Sequence, residues 1–378
     1  MIKGIKVKKI LILNWRDIKN PSSGGAEILT HEIAKRFVMW GHQVTQFSSC
    51  FPNCLAEEKV DGVKIIRMGH PDARFLFSSV HFLAFKYYRK NVGKFDVVVD
   101  EIHGLPFFTP WYVKEKKVVL ICEVANELWT NMFGPIFGTL GRIVEWYYLH
   151  FAYSNIHFLT ISESSKDDLI KEGIKEKNIT ILPMGLSIPN NLKTYEKEKT
   201  PTLIFVGRLS RQKGIEDAII VLKKVSKKIP KIKLWIVGRG EKNYVSYLKS
   251  LIKKIKIEKQ VIFFGFVEEY KKFEFMQRAH VLLVPSIKEG WGLTVPEAAA
   301  VGTPSIVYNS QGLRDVLRDS PFKIIVRSNT PTDLSKEVLV LLQKKNFYKI
   351  LTRQKTTVVE QFNWNKTAAV ALNILENK

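Results

Sequence analysis

The sequence predicts an α/β protein with two doubly wound, Rossmann-like domains, each built on a parallel sheet. Short runs of β-branched residues alternate with longer amphipathic stretches throughout the chain, which is the pattern of repeated βα units. The alternation forms two series on either side of a polar stretch, residues 190–201, whose composition is typical of a linker. A chain of 378 residues also exceeds what one hydrophobic core usually organises. We therefore expect two domains that face a central cleft, where a ligand would bind.

The first domain is predicted over residues 1–188. Its first helix should lie between Gly24 and Gly41, because apolar residues recur there at helical spacing and a glycine is suited to end a helix. Six strands are predicted, at Lys9–Leu13, Gln43–Ser48, Lys64–Met68, Asp96–Asp100, Val118–Ile121 and Phe158–Ser162.

The second domain is predicted over residues 200–362, and a final amphipathic segment, residues 363–378, predicts a helix that Asn363 caps. Six strands are again expected, at Leu203–Val206, Lys233–Val237, Val261–Phe264, Val281–Val284, Ser305–Tyr308 and Lys323–Val326.

The charge and the cysteine content restrict the partners and the compartment. A formal net charge of +23 suits nucleic acid, an anionic membrane or phosphorylated ligands. The lysines are scattered and no nucleic-acid module is visible, so we favour the latter two and expect no nucleic-acid partner. Three cysteines indicate a reducing, cytoplasmic setting. Cys50, Cys54 and His42 lack the spacing of a metal site, so we expect no metal.

The N-terminal segment is not predicted to be a signal peptide. Basic residues precede an apolar run there, as in a signal peptide, but the run is interrupted at Asn14 and is better explained as the first buried strand. No apolar stretch in the chain is long enough to predict a spanning helix.

The most informative motif lies at residues 285–305, where a strand leads through a glycine-containing loop into a helix. Pro296 suits the first turn of that helix. The backbone amides of Leu293, Thr294 and Val295 should be unpaired at the helix start, where they could bind a diphosphate. Glu289 and Glu297 could accept hydrogen bonds from sugar and ribose hydroxyls. The alternatives are that Glu297 complements the helix dipole and that Glu289 is a solvated loop charge.

The second motif follows the first strand of the second domain. That strand ends at Gly207, and the cations Arg208 and Lys213 come next, before a predicted helix. Fixed cations stabilise the negative charge that develops on a departing diphosphate. The alternative is a pair of ordinary surface cations in a basic protein.

Two weaker motifs complete the set. Gly24 and Gly25 form a glycine-rich loop that opens a helix after the first strand, which is suited to an anion but is also ordinary turn chemistry. At Gly265, Phe266 and Val267 the backbone could face a nucleobase.

Taken together, Gly24-Gly25-Ala-Glu, Gly207-Arg208-Leu with Lys213-Gly, and Glu289-Gly-Trp-Gly-Leu-Thr-Val-Pro-Glu297 resemble the family 4 glycosyltransferases of the GT-B fold. The likeness extends along nearly the whole chain and is stronger in the second domain. It implies a metal-independent transfer of a hexose from a UDP- or GDP-sugar to an acceptor hydroxyl, with retention of anomeric configuration. It also implies that the final helix returns to the first domain.

The resemblance also assigns roles to residues. It implies that Arg208 and Lys213 hold the donor diphosphate, that Glu289 contacts the transferred sugar, and that Glu297 contacts the ribose. The further donor-binding residues are Gly24, Gly25, Gly207, Gly265, Phe266, Val267, Gly290, Trp291, Gly292, Leu293 and Thr294. No cofactor is implied beyond the nucleotide-sugar co-substrate.

One position departs from the family pattern. Similar sequences often have a histidine beside the transferred sugar where this chain has Cys122. His103, at the end of the preceding strand, could supply an imidazole nearby or could be an ordinary strand-end histidine. The departure keeps a non-catalytic sugar-nucleotide-binding subunit open as an alternative, along with a phosphorylase or epimerase of the same fold.

A role at a membrane is also suggested by the composition of the first domain. The segments 74–90 and 131–153 combine basic and aromatic residues, which can lie on anionic lipid. The alternative is that these aromatic residues fill the core. If these segments bind lipid, we expect a peripheral association with the inner face of the membrane. The expected acceptor is a glycan or a lipid-linked sugar.

Overall fold

The computed structural model describes residues 7–318, 320–344 and 358–377, without the side chains of residues 73, 74, 131, 132 and 377. The chain divides into two compact units. The first unit comprises Met1–Gly185 and Asn363–Lys378, and the second comprises Leu186–Phe362. Each unit has its own parallel sheet and helices, so the α/β, two-domain fold class is confirmed.

The first unit contains an eight-stranded sheet in the order β3-β4-β2-β1-β5-β6-β7-β8. Every pairing is parallel except β3 with β4. The strand order reverses direction at β1, which has β2 on one side and β5 on the other. Ligands of doubly wound sheets bind at this switch point, outside the carboxyl ends of the strands. The strands are β1 Lys9–Leu13, β2 Gln43–Ser48, β3 Glu57–Val60, β4 Val63–Arg67, β5 Val97–Ile102, β6 Lys116–Ile121, β7 His157–Thr160 and β8 Ile179–Ile181.

All six strands predicted for this unit are confirmed, with ends that shift by up to two residues. β3 and β8 were not predicted. The sequence of β3, Glu-Glu-Lys-Val, is charged because the strand lies at the sheet edge and pairs only with β4 through a turn at Asp61-Gly62. β8 has only three residues, too few to show a periodic pattern.

Four helices of the first unit lie between its strands, and a fifth comes from the end of the chain. α1 follows β1 and ends as predicted, with Gly41 beyond it in the left-handed region at φ +96°. α3 bends at Gly134, where φ is +77° ahead of Pro135. The helices are α1 Gly25–Met39, α2 Val80–Arg89, α3 Leu128–Tyr147, α4 Glu163–Lys171 and, from the end of the chain, α11 Trp364–Asn377.

The final helix, α11, packs on the first unit. The Thr367 hydroxyl donates to the Pro183 carbonyl at 2.5 Å, and Arg36 Nε on α1 donates to Asn365 Oδ1 at 2.7 Å. The Trp364 ring lies so close to Gly185 that a Cβ there would be 2.1 Å from it. At the other end, Lys116 Nζ donates to two of the last carbonyls of α11 at 2.8 Å, which satisfies groups that a helix C-terminus leaves unpaired.

The second unit contains a six-stranded, fully parallel sheet in the order β11-β10-β9-β12-β13-β14. Its switch point lies between β9 and β12. The six predicted strands are all confirmed. They are β9 Thr202–Val206, β10 Lys233–Val237, β11 Val261–Gly265, β12 Val281–Val284, β13 Ser305–Val307 and β14 Lys323–Ile325. The helices are α5 Ile215–Ser226, α6 Lys242–Lys254, α7 Glu269–Arg278, α8 Thr294–Ala300, α9 Gln311–Asp315 and α10 Pro331–Gln343.

The polar stretch 190–201, predicted as a linker, is instead packed on the second unit. Arg278 on α7 pairs with Glu198 through its guanidinium. Lys197 Nζ donates to the Ala279 carbonyl at 2.7 Å and to Thr303 Oγ1 at 2.6 Å. Burial lowers the pKa of Lys197 to about 7. The linker interpretation was wrong because polar composition alone does not show whether charged groups will find partners on a folded unit.

Candidate functional site

Glycines end three neighbouring strands of the second unit. Gly207, Gly238 and Gly265 follow or complete β9, β10 and β11, with φ of +146°, +140° and +69°. Their backbones are joined side by side, because the Gly238 amide donates to the Gly265 carbonyl at 2.8 Å. A Cβ on Gly238 would lie 1.8 Å from the Gly207 carbonyl oxygen. A side chain is thus sterically excluded at Gly238, and the positive φ disfavours one at all three positions, so this edge presents backbone to any ligand above it.

Beside this glycine edge, Lys213 and Glu289 form an ion pair across the switch point. Lys213 Nζ donates to both Glu289 carboxylate oxygens at 2.7 Å. The Ser286 hydroxyl donates to Glu289 Oε1 at 3.1 Å. The Glu289 side chain is only 14% exposed, so the interpretation as a solvated loop charge was wrong. The two predicted residues are thus brought together from the loops after β9 and β12.

The two loops that carry this pair are fixed against each other by backbone contacts. The Ile287 amide donates to the Gln212 carbonyl at 3.0 Å. Gly214, at φ +69°, approaches so closely that a Cβ there would lie 2.0 Å from the Pro285 carbonyl oxygen. The Gly312 amide on α9 holds the Glu289 carbonyl at 2.9 Å. Close backbone packing therefore sets the distance between the cation and the carboxylate before a ligand binds.

Arg208, unlike Lys213, has no partner among the described residues. Its side chain is exposed at the end of β9, and it forms no hydrogen bond or ion pair within the described parts of the chain. A cation with no internal partner beside a glycine edge is available to an anionic ligand.

Glu297 forms a second lysine–carboxylate pair, in the first turn of α8. Lys272 Nζ lies 2.9 Å from Glu297 Oε1 and 2.7 Å from Glu269 Oε1. Burial raises the pKa of Glu297, and Lys272 opposes that shift. The second oxygen, Glu297 Oε2, is buried and has no hydrogen-bond partner in the described chain. A buried acceptor without a donor is costly, so a ligand hydroxyl there would be favourable.

The loop that leads into α8 places the remaining predicted residues. Gly290 and Gly292 flank Trp291, whose indole N–H is buried without a partner among the described residues, and Gly292 has φ +87°. The Val295 amide donates to the Gly292 carbonyl at 3.0 Å. The prediction that this amide is unpaired was therefore wrong, because the loop closes a tight turn onto the helix. The amides of Leu293 and Thr294 donate to no described group.

Phe266 projects from the end of β11. Its ring is 68% exposed, and the Arg239 guanidinium lies 4.8 Å from the ring centroid. Val267, next in sequence, packs on the core instead. An exposed ring next to the glycine edge is a surface on which a nucleobase could stack.

In the first unit, a buried carboxylate lies at the sheet's switch point. Glu101, near the end of β5, accepts hydrogen bonds at 2.6 Å from Asn14 Nδ2 and from the Thr30 hydroxyl. Its other oxygen lies 2.9 Å from His103 Nε2. Burial raises the pKa of Glu101. The cluster thus consists of one group just after β1, one on α1 and two at the end of β5.

His103 and Cys122 are neighbours across two strands. Ile102 and Ile121 pair in the β5–β6 register, so the next residues, His103 and Cys122, leave the sheet side by side. Burial would lower the pKa of His103, but Glu101 outweighs this and the pKa is raised. Burial raises the pKa of the Cys122 thiol, and the negative charge of Glu101 adds to that shift. The Trp15 ring stacks on the imidazole with a 5.3 Å centroid separation.

The loop before α1 is capped internally. The Gly24 amide donates to Glu27 Oε2 at 2.6 Å, so this amide is already occupied in a capping box. The amide of Gly25 donates to no group in the described chain. Gly25 is therefore the better placed of the two glycines for an anion.

The sequence did not reveal several residues that shape these clusters. Ser286 and Lys272 contact the two predicted glutamates, and Glu101 organises the histidine cluster. Lys272 lies in a helix with a second lysine beside it, so the sequence did not show which of the two would be buried. Glu101 was visible as a charged residue in a β-branched strand, an arrangement that requires a buried partner.

Two family models match adjacent parts of the chain. The model described as Glycosyltransferase Family 4 matches residues 23–188. The model described as Glycosyl transferases group 1 matches residues 188–357. An uncharacterized glycosyltransferase from Methanocaldococcus jannaschii is 25% identical over 97% of both chains.

Solved structures are similar over nearly the full length. Sucrose-phosphate synthase from Thermosynechococcus elongatus has a TM-score of 0.79 at 17% identity, over 97% of this chain and 98% of its own. Anabaena HepE, solved in complex with UDP-glucose, has a TM-score of 0.74 at 14% identity, over 98% of this chain and 100% of its own. At these identities the likeness shows the fold, which is GT-B.

Proposed function

The chain belongs to the family 4 glycosyltransferases, and from this premise we propose that it transfers a hexose from a UDP- or GDP-sugar to an acceptor hydroxyl. We propose that the anomeric configuration is retained and that neither a metal nor a cofactor is needed beside the nucleotide-sugar. The observation that carries the proposal is the Lys213–Glu289 pair beside the unpartnered Arg208 at the switch point of the second unit.

The cations would act on the leaving group. When the bond between the anomeric carbon and the diphosphate oxygen breaks, the electron pair remains on the diphosphate. The acceptor oxygen bonds to the same carbon and passes its proton to the departing diphosphate. Arg208 and Lys213 would stabilise the developing negative charge, because fixed cations need no reorganisation as the charge forms. The amides of Gly25 and Thr294 would assist as backbone donors.

The carboxylates would orient the donor. Glu289, held rigidly by Lys213 and Ser286, would accept a hydrogen bond from a hydroxyl of the transferred sugar. Glu297 Oε2, buried and unpartnered among the described residues, would accept one from the ribose. The base would stack on Phe266 above Gly265, along the glycine edge with Gly207.

The first unit would contribute a histidine to the sugar. His103 lies beside Cys122, where related sequences often have a histidine, and Glu101 holds its imidazole in place. We propose that His103 donates a hydrogen bond to the transferred sugar, with Cys122 as a packing neighbour. HepE, of similar fold, was solved with UDP-glucose, which makes UDP the first nucleotide to test.

The acceptor and the setting are part of the proposal. We propose a glycan or lipid-linked sugar as acceptor, and a cytoplasmic protein that works at the inner face of an anionic membrane. No helix among the described residues is both long enough and apolar enough to cross a membrane.

Calorimetric titration with UDP, GDP and ADP tests the donor site. We expect one nucleotide to bind, with affinity unchanged by EDTA, lost in Arg208→Ala and retained in Lys336→Ala. Lys336 is a matched control because it is a surface cation on α10, with a side chain 68% exposed. Absence of binding by all three nucleotides at millimolar concentration would overturn the proposal.

Incubation with the matching nucleotide-sugar then separates the remaining functions. Transfer or slow hydrolysis with retained configuration, read by proton NMR of the product, supports the transferase. Normal nucleotide-sugar affinity without turnover would identify a non-catalytic subunit. Phosphate-dependent cleavage or an epimerised donor would identify a phosphorylase or an epimerase.

A further inference from the structure

The outer face of α3 and the turn that follows it is apolar and exposed. Ile136 is 79% exposed and Phe137 71%. Six further large apolar residues on this helix and turn have between 47% and 60% of their surface exposed: Phe133, Leu140, Ile143, Trp146, Tyr147 and Phe151. The residues recur every three or four positions, so most of them lie on one side of the helix. We call these eight residues the α3 face.

Few charged side chains lie near the α3 face. Helix α3 itself contains two charged residues, Arg142 and Glu145, and Glu172 lines the same cleft as Arg142. Glu145 is buried and accepts hydrogen bonds from the amides of Ala125 and Asn126 at 2.9 and 2.7 Å. Arg142 is exposed and pairs with no described residue. A partner of the α3 face should therefore be apolar, and Arg142, with no partner in the described chain, can contact a negative group at its border.

A second exposed apolar segment lies on the same unit. Phe75, Leu76 and Phe77, just before α2, are between 53% and 75% exposed. Ring contacts run from Phe77 to Phe82 on α2, at a centroid distance of 5.2 Å. They continue from Phe82 through Phe85 to Tyr112. The exposed segment before α2 is thus supported by an aromatic cluster of the first unit.

From these observations we propose that the α3 face docks in the interfacial region of an anionic phospholipid membrane, with Arg142 contacting lipid phosphate. Eight contiguous large apolar side chains exceed what a monomeric protein surface usually exposes. A helix with such a face lies in the plane of the interface and inserts its apolar side, and Trp and Tyr favour that depth. The net charge of +23 adds attraction to an anionic surface.

A second copy of the chain is a poorer occupant for the α3 face. A symmetric dimer would place the same face on both subunits. It would bring together two chains that each carry a net charge of +23. A membrane of anionic lipid supplies both the apolar environment and the negative charge.

The side chains of Arg74 and Asn131, which belong to the segments predicted to be basic and aromatic, lie outside the described residues. Docking of the α3 face rests on the membrane setting proposed above. It is independent of the donor site, because the α3 face lies on the first unit and includes none of the residues proposed to bind the nucleotide-sugar.

Vesicle flotation of the full chain tests the inference. We expect binding to vesicles of phosphatidylglycerol and phosphatidylcholine, and weaker binding to phosphatidylcholine alone. The double variant Ile136→Glu/Leu140→Glu should reduce partitioning by about tenfold or more, because carboxylates replace inserted groups. Met39→Glu is the matched control: Met39 is 75% exposed at the end of α1, and its variant should bind like the wild type.

Fluorescence quenching, a charge variant and thermal unfolding complete the test. Brominated acyl chains should quench tryptophan emission of the wild type on anionic vesicles, and quenching should fall in Trp146→Phe. Arg142→Gln should weaken binding to anionic vesicles only. The thermal unfolding of each variant must match the wild type. The inference would be overturned if the wild type failed to float, or if sedimentation showed a dimer that Ile136→Glu/Leu140→Glu dissolves.

Discussion

The two units build their candidate sites at the same topological position with different electrostatics. In the second unit, both carboxylates are paired with lysines, Glu289 with Lys213 and Glu297 with Lys272. In the first unit, Glu101 has no lysine or arginine partner within the described chain and is held by an amide, a hydroxyl and an imidazole. Only the imidazole in that set can gain or lose a proton near neutral pH.

This electrostatic difference predicts how each site responds to pH and to the loss of a partner. The lysine–carboxylate pairs of the candidate donor site contain no imidazole. The Glu101–His103 pair of the first unit contains one, and an imidazole changes its charge near neutral pH. The predictions below test that contrast, beginning with the largest expected effect.

Removal of one lysine should show how strongly the second unit depends on its pairs. Lys272→Met leaves the Glu297 carboxylate buried without its cation, so we expect the free energy of unfolding to fall by about 3–5 kcal/mol. Urea unfolding measures this. Lys271→Met is the control, because Lys271 is half exposed and its loss should cost under about 1 kcal/mol. Equal effects of the two substitutions would contradict the buried-pair account.

Lys213→Met should affect the chemical step. It removes one of the two cations proposed to stabilise the departing diphosphate, so kcat should fall by roughly 10²–10³-fold. Single-turnover transfer from the nucleotide-sugar provides the measurement. Lys336→Met, on α10, should retain the wild-type rate. A wild-type rate in Lys213→Met would remove this lysine from the mechanism.

The third prediction compares the neighbours His103 and Cys122. His103→Asn should lower kcat by about tenfold, since it removes one hydrogen bond to the sugar and leaves Glu101 with a weaker partner. Cys122→Ser should change kcat by less than about threefold, because we assign the thiol no contact to the sugar. If Cys122→Ser has the larger effect, the roles of the two residues are reversed.

The smallest effect concerns pH. The raised pKa of His103 in the folded chain means that its pair with Glu101 adds stability below pH 6.5, which is lost as pH rises through the folded pKa. Glu101→Gln should bring the His103 pKa down and remove this pH dependence. Proton NMR titration measures the His103 pKa, and unfolding at a series of pH values measures the pH dependence of stability. His81 is an internal control, because burial lowers its pKa to about 4 and its signal should stay constant above neutral pH.

The two candidate sites also differ in how much of them the sequence could predict. The fold class and twelve strands followed from β-branched runs, because strands buried on both faces show a strong local pattern. Lys213 and Glu289 could be predicted because each lies in a compact motif after a strand. That they contact each other with Ser286 could not, since this depends on the close approach of Gly214 to Pro285.

The histidine cluster had weaker signals. Asn14, Thr30 and Glu101 come from three elements distant in sequence and meet only when β1 and β5 pair in register. His103 was predicted as a neighbour of Cys122 because both follow adjacent parallel strands, but its carboxylate partner was not. The occupied Val295 amide was equally hidden, because a single tight turn at Gly292 decides it.

The contacts of α11 have a consequence for the order in which the chain folds during synthesis. The groove that receives this helix is built from α1 and the residues around Pro183, whereas α11 follows the whole second unit along the chain. A ribosome therefore releases the second unit before the first can be completed. Until α11 emerges, Gly185 lacks the Trp364 ring that covers it, and the nascent first unit exposes the surface on which α11 packs, which a chaperone could protect.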